Sequence, residues 1–315
     1  MKGIQSLKKK IRPLYRSEQT SLRGLLALRF LTEVNCLYYQ IRCRQLKKIS
    51  VKMLEDLREK KAKNVFVFAN GPSLSDVDFA KVKELTESGE FDLITVNSFA
   101  SKAMRQHGLK PVAGVFADPV YYGERPEHVS EAQFQEDVEI MNQHSVPALT
   151  PYRYYGKSRF NTSIPYNGVR NVFSSNVSDM TKPLGYMNLT AFHALSLAIH
   201  LKYENIYICG YDNSYFKGYG VDENGEQYFE DRHFYDKRSP TKRFLPESEY
   251  GPTSYIFYDA YRHFKYLEKI GRHGKAGVNI YNVAKTTYTK AFPRSFDLDI
   301  YLEKKVKNYS ECRKS

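Results

Sequence analysis

Tryptophan is absent from the 315 residues, and the four cysteines, Cys36, Cys43, Cys209 and Cys312, share no CxxC spacing. That spread excludes a disulfide framework or a cysteine-built zinc site and makes a reducing compartment the default. Long apolar runs are missing too. The richest stretch, Leu25 to Tyr39, is broken by Arg29 and Glu33, which leaves it too short and too charged to span a bilayer. No small-residue cleavage site follows it, as a secretory leader requires. Acidic residues are scarce over residues 1–61, where 5 Asp and Glu face 16 Lys and Arg. The resulting +11 is nearly all of the protein's +13, so residues 62–315 are close to neutral.

This basic segment joins the run Lys8-Lys-Lys-Ile-Arg12 to the partly apolar stretch. It is expected to form a helical arm that lies on an anionic membrane surface, which places the protein in the cytoplasm, peripheral on the inner face of the membrane. Nucleic acid is not the expected partner, because no aromatic-basic recognition motif accompanies the charge. A solvated helical extension packed on the body is the other reading. Residues 62–300 then form one catalytic domain, and 301–315 a basic tail.

The domain opens on Asn64-Val-Phe-Val-Phe68, a short apolar strand followed by Asn70-Gly-Pro-Ser-Leu74. Gly71 is expected to let a ligand approach the backbone, Pro72 to set the turn, and Ser73 or Ser75 to cap a following helix. A helix start of that kind offers free amides to a nucleotide phosphate. The loop matches neither GxGxxG nor GxxxxGK[ST], so a dinucleotide fingerprint and a kinase phosphate loop are both excluded.

The pattern repeats. Asp92 to Asn97 and Val112 to Asp118 read as strands, with helices over Phe79 to Glu87 and Ser101 to His107 between them. This β-α-β-α-β order predicts a Rossmann-like, doubly wound α/β fold with a mostly parallel sheet. Asn70, Asn97 and Asp118 should converge at the carboxyl edge, where such folds bind ligands. Downstream, Asn188 to His200 reads as an amphipathic helix with an apolar stripe of Leu189, Phe192, Leu195 and Ile199, and with Ser196 off that stripe. The strand Asn205 to Cys209 follows and brings Asp212 to the same edge. Tyrosine is abundant, at 26 residues, and the clusters Tyr152-Arg-Tyr-Tyr155 and Tyr255 to Tyr266 could line a sugar or nucleotide site.

Taken in order, NGPSL, the strand ending on Asn97, Ala117-Asp118-Pro119 and Asn205-Ile-Tyr-Ile-Cys-Gly-Tyr-Asp212 resemble the bacterial sialyltransferases that use CMP-sialic acid. They also resemble a related group of motility accessory factors and hydroxymethylpterin pyrophosphokinases. Arg232-His-Phe234, Asn279 to Ala284 and Ala291-Phe-Pro-Arg294 extend the likeness, which covers about residues 64 to 294. The resemblance implies metal-independent transfer of an acidic sugar from a CMP donor to a surface polysaccharide or lipid-linked glycan. It implies no cofactor beyond the nucleotide-sugar substrate. The family's loop and second-strand asparagines fall on Asn70 and Asn97, its third-strand asparagine is replaced by Asp118, and its phosphate-stabilising tyrosine falls near Tyr215. The family's histidine base falls on Tyr255.

His233 is therefore the candidate general base, since a neutral imidazole takes a proton from a hydroxyl near pH 7. Arg232, Lys242 and Arg243 could neutralise a phosphate. His193 and His200 read as packing or surface residues. Asp76-Val-Asp78 is expected to serve a helix start, and Asp297-Leu-Asp299 to be structural, whereas Asp118 and Asp212 could together suit Mg²⁺. Two alternatives stay open: a pterin-type pyrophosphokinase using ATP and Mg²⁺, and a non-catalytic nucleotide-binding protein.

Overall fold

The computed structural model describes residues 22–124, 131–171, 173–185, 189–230, 243–244, 253–274 and 277–301. Two helices come first, α1 (Leu22–Arg42) and α2 (Arg44–Glu59). Then β1 (Asn64–Phe68), α3 (Phe79–Glu87), β2 (Phe91–Val96), α4 (Ser98–His107) and β3 (Ala113–Val115) form the alternating unit. α5 (Glu131–Gln143), β4 (Ala148–Pro151) and β5 (Ser163–Tyr166) extend it, and α6 (Thr190–His200) leads to β6 (Asn205–Cys209). A small antiparallel sheet of β7 (Tyr219–Val221), β8 (Gln227–Phe229) and β9 (Arg243–Phe244) precedes α7 (Thr253–Gly274) and β10 (Asn279–Asn282).

Seven strands pair wholly in parallel, in the order β10-β6-β1-β2-β3-β4-β5. This is an α/β, Rossmann-like, doubly wound sheet. The chain winds outward from β1 to β5 and then returns to lay β6 on the other side of β1. Because crossovers are right-handed, that reversal sends the later helices to the opposite face. Side chains of β1 divide accordingly. Val65 and Val67 pack with α6 residues such as Leu195 and with Ile270 of α7, whereas Phe66 and Phe68 pack with Val82 of α3 and Phe99 of α4. Leu54 of α2 is 1% exposed within the α6-side core, which makes α2 part of the body.

α6 departs from the amphipathic expectation. Every residue from Phe192 to Ile199 is buried, including Ser196, whose hydroxyl donates to the Val177 carbonyl at 2.5 Å. Its buried polar residues, Ser196 and His193, both have partners, so the helix can run through the interior as parallel-sheet folds require. His193 is buried beside the Tyr166 hydroxyl at 2.7 Å, a packing role as expected.

α4 starts at Ser98, directly after β2 and three residues before the expected Ser101. A buried carboxylate explains the early start. Asp137 of α5, 3% exposed, accepts from the hydroxyls of Ser98 at 2.7 Å, Tyr121 at 2.9 Å and Ser101. The first turn of α4 is thereby pinned, and with it the position of Asn97.

Candidate functional site

The direction change between β1 and β6 falls where open α/β sheets bind ligands, at the carboxyl edge beside the loops that follow these two strands. The loops are clasped together. Gly71 donates its amide to the Gly210 carbonyl at 3.0 Å, Ser73 donates its amide to Asp212 Oδ2 at 2.9 Å, and Gly210 donates to Ser73 Oγ at 3.1 Å. Gly71 has φ −66° and ψ 155°, ordinary extended backbone, so its conformation does not require glycine. Space does: a Cβ there would lie 2.1 Å from Asp212 Oδ2 and 2.4 Å from the Gly210 carbonyl oxygen. Glycine at 71 therefore serves close approach of protein to protein, which corrects the expectation of close approach by a ligand.

The helix start is corrected as well. Pro72–Asp76 is a single 3₁₀ turn with no side-chain cap, and Ser75 donates back to the Pro72 carbonyl. Ser73 is buried and its amide is taken by Asp212, so neither Ser73 nor Gly71 presents a free amide to an anion. The α-helix begins only at Phe79, where Asp78 accepts from the amides of Ala80 and Lys81. Asp78 thus serves a helix start, as expected.

In place of a phosphate cradle, the edge carries unpaired polar atoms. Asn70 Oδ1, Asn97 Oδ1, Asp212 Oδ1 and both Nδ2 and Oδ1 of Asn213 are buried with no hydrogen-bond partner among the described residues. Their strands are neighbours in the sheet, β6, β1 and β2, and Phe68, Thr95 and Cys209 share one register level. Asn70 and Asn97 follow two residues beyond that level, side by side. Buried polar atoms are nearly always paired, so a cluster on three adjacent strand ends is a candidate ligand position. Backbone strain coincides with it. Asn97 has φ 46° and ψ −140°, and Asn213 has φ 51°, which nonglycine residues hold only where the surroundings enforce it. Thr190, at the start of α6, receives the Asn97 amide at 3.4 Å and so orients it.

Burial raises the Asp212 carboxyl above the ordinary carboxylate range, opposed by its bonds from Ser73. It also raises Asp118, opposed by the Val120 amide and by the nearby Arg153 guanidinium. Asp118 ends the β3 segment and caps a 3₁₀ turn. Since β1 and β2 stand between their strands, Asp118 and Asp212 are on the order of 14 Å apart by strand spacing, too far to share one ion. That separation corrects the notion of a shared Mg²⁺ site.

Aromatic and cationic side chains flank these strand ends. Tyr154, from the tyrosine cluster after β4, stacks on Tyr122 at 4.5 Å, and Arg153 covers the Tyr154 ring at 4.4 Å. On the other side, Tyr288 donates its amide to the Asp212 carbonyl at 3.2 Å, and Lys217 lies 4.8 Å from the Tyr288 ring centre. The loop after β10 braces this side. Thr287 and Thr289 donate hydroxyls to the Tyr211 carbonyl, and Asn282 bonds both Thr289 and Ala284. The closing motif from Asn279 to Arg294 is thus scaffolding for the Asp212 loop.

The structure therefore brings Asn70, Asn97 and Asp212 to the carboxyl ends of three adjacent strands, with Asp118 one strand beyond. Tyr215 opens a 3₁₀ turn just after the Asp212 loop. His233, Arg232 and Lys242 lie outside the described residues, while Arg243 begins β9. Asp299 pairs with Lys81 at 2.8 Å, the structural role expected of it. Lys217 and Tyr288 escape a sequence reading; Asn213 carried a signal in its place next to Asp212, and Arg153 in its place within the tyrosine cluster from Tyr152 to Tyr155.

No protein-family profile matches the chain, and no curated protein sequence matches it. Among solved structures, the chain is similar to the X-ray structure of a variant of the alpha-2,3/8-sialyltransferase CstII, at 13% identity and a TM-score of 0.38, over 76% of this chain and 90% of that one.

Proposed function

We propose that this protein is a glycosyltransferase whose nucleotide-sugar donor lies along the carboxyl ends of β6, β1, β2 and β3. The observation that carries this reading is the set of unpaired polar atoms on Asn70, Asn97, Asp212 and Asn213. Amides and carboxylates of this kind read the edge of a base and the hydroxyls of a ribose. The row of strand ends spans roughly 14 Å, enough for a nucleoside and the start of its phosphate. Phosphate charge is met by Lys217, two residues after Tyr215, since the elbow's amides are already engaged.

The motif order that resembles the bacterial sialyltransferases supports CMP as the nucleotide and an acidic sugar as the group transferred, to a surface polysaccharide or lipid-linked glycan. In that reaction an acceptor hydroxyl oxygen bonds to the anomeric carbon, the bond from that carbon to phosphate oxygen breaks, CMP departs, and the hydroxyl proton passes to a base. His233 is assigned that base and Tyr215 the stabilisation of the departing phosphate.

Thermal shifts with CMP, CDP, UDP and ATP test the nucleotide, because a ligand that binds only the folded state raises its stability. CMP and CDP should raise the Tm, and a CMP-activated acidic sugar should release CMP faster with a glycan acceptor present. A shift with ATP and Mg²⁺ alone would transfer the site to phosphoryl chemistry.

A further inference from the structure

α1 is apolar on two opposite faces, and only one of them is used. Leu28, Thr32 and Cys36 fall on the inner face and are 5%, 2% and 3% exposed. The opposite face carries Leu26, Phe30, Val34, Leu37 and Ile41, spaced at three and four residues and 58%, 68%, 42%, 56% and 69% exposed. At 1.5 Å per residue this row runs about 22 Å along the helix. Five large side chains in one unbroken row are not scattered surface hydrophobics, and a row of that kind marks a surface for a partner.

Charge decides the partner. Arg29 and Arg42 are exposed on α1, and Arg44, Lys47, Lys48 and Lys52 are exposed on α2, within a segment of net charge +11. A second copy of this chain would bring the same positive charge to face itself, whereas an anionic bilayer complements it. We propose that the outer face of α1 seats in the headgroup layer of an anionic membrane, with Leu26, Phe30, Val34, Leu37 and Ile41 as the inserted row. In-plane helices bind membranes this way, through buried apolar area added to attraction for anionic lipid.

The helix also sits at the useful end of the sheet. Asn171, just past β5, donates to Glu33 of α1 at 3.1 Å, and Tyr39 feels the charge of Arg153, just past β4. Both partners lie beyond carboxyl strand ends. Membrane contact through α1 would hold that edge near the bilayer, where a lipid-linked acceptor is presented. The inference stands apart from the proposed chemistry, since the exposed row and its charge do not involve Asn70, Asn97 or Asp212.

The test is cosedimentation of the full chain with vesicles of phosphatidylglycerol and phosphatidylcholine, and with phosphatidylcholine alone, alongside light scattering for oligomeric state. The wild type should partition to the anionic vesicles and be released by high salt. A Phe30→Glu, Leu37→Glu double variant should partition at least about tenfold less, because each side chain removed from apolar contact is worth about that factor. Its Tm and its CMP-induced shift should match the wild type, which separates a failure here from a failure at the nucleotide site. A milder Phe30→Ser, Leu37→Ser pair serves if the acidic pair lowers the Tm. Equal partition of variant and wild type would overturn the proposal, as would no partition of the wild type, or a wild-type dimer that the variant breaks without any effect on vesicles.

Discussion

Replacing Gly71 with alanine is the sharpest probe of the clasp between the β1 and β6 loops. The added methyl would sit 2.1 Å from Asp212 Oδ2, 2.4 Å from the Gly210 carbonyl oxygen and 2.8 Å from its carbon. Asp212 can swing aside, but Gly210 cannot: it is backbone, held by the Gly71 amide at 3.0 Å and by Ala69, whose amide bonds the preceding Cys209 carbonyl at 2.9 Å. Relief must come from parting the loops, at about 1–3 kcal/mol for overpacking. If Asp212 moves as well, the Ser73 amide loses a charged acceptor, a further cost of about 1.5–3 kcal/mol. Together these lower the Tm by roughly 5–15 °C on the scaling for large domains. Circular dichroism suits the measurement, since a chain without tryptophan gives weak intrinsic fluorescence. Gly89→Ala is the control, because Gly89 has φ 79° and nothing within 4 Å of an added methyl. It should cost only the left-handed backbone penalty, about 1 kcal/mol. A Gly71→Ala Tm at or above that of Gly89→Ala would refute the clasp, and with it the reassignment of Gly71 from ligand approach to loop packing.

Two further predictions concern pH. Burial raises the Asp212 carboxyl, so the folded state holds its proton more tightly than the unfolded chain; that stabilisation is present below the ordinary carboxylate value of 3.8 and is lost as pH rises through the raised folded value. Asp212→Asn keeps an acceptor for Ser73 and should gain stability relative to wild type on going from acid to neutral pH; a constant difference across that range would count against it. His263 behaves in the opposite sense. It is buried between Phe192 of α6 and Asp259 of its own helix at 3.5 Å, with Arg262 and Arg170 nearby, and burial pushes its imidazole down to about 4. Stability from the neutral ring is present above 6.5 and should fall by roughly 3 kcal/mol as the pH drops toward 4. His263→Phe should flatten that acid limb of the denaturation profile, and an unchanged limb would reject the assignment.

The strands β1 and β6 and the helix α3 were legible residue for residue, because Asn64-Val-Phe-Val-Phe68 and Asn205-Ile-Tyr-Ile-Cys209 are β-branched or aromatic and bounded by turn residues. β4 and β5 were not legible. Ala148-Leu-Thr-Pro151 and Ser163-Ile-Pro-Tyr166 are four residues each and contain proline, which local pattern demotes; the sheet accommodates Pro165 on its edge strand and Pro151 at the last position of β4, beyond the pairing with β3. At the site, strand ends identified Asn70, Asn97 and Asp212 because parallel topology alone sends them to one edge. What local reading could not supply was who faces whom. The proximity of Gly71 to Asp212 joins positions about 140 apart in the chain, and it turns an apparent phosphate loop into a clasp. Lys217 was hidden for a similar reason, since a cation on an exposed turn carries no periodic signal.

Calorimetric titration of CMP into wild type and Asn97→Ala asks whether the unpaired atoms at the ends of β6, β1 and β2 hold a nucleotide. Saturable binding at one site per chain is predicted for the wild type, weakened about tenfold or more in the variant, whose buried oxygen no longer meets the ligand. Absence of CMP binding to the wild type, or equal affinity in both proteins, would contradict that reading.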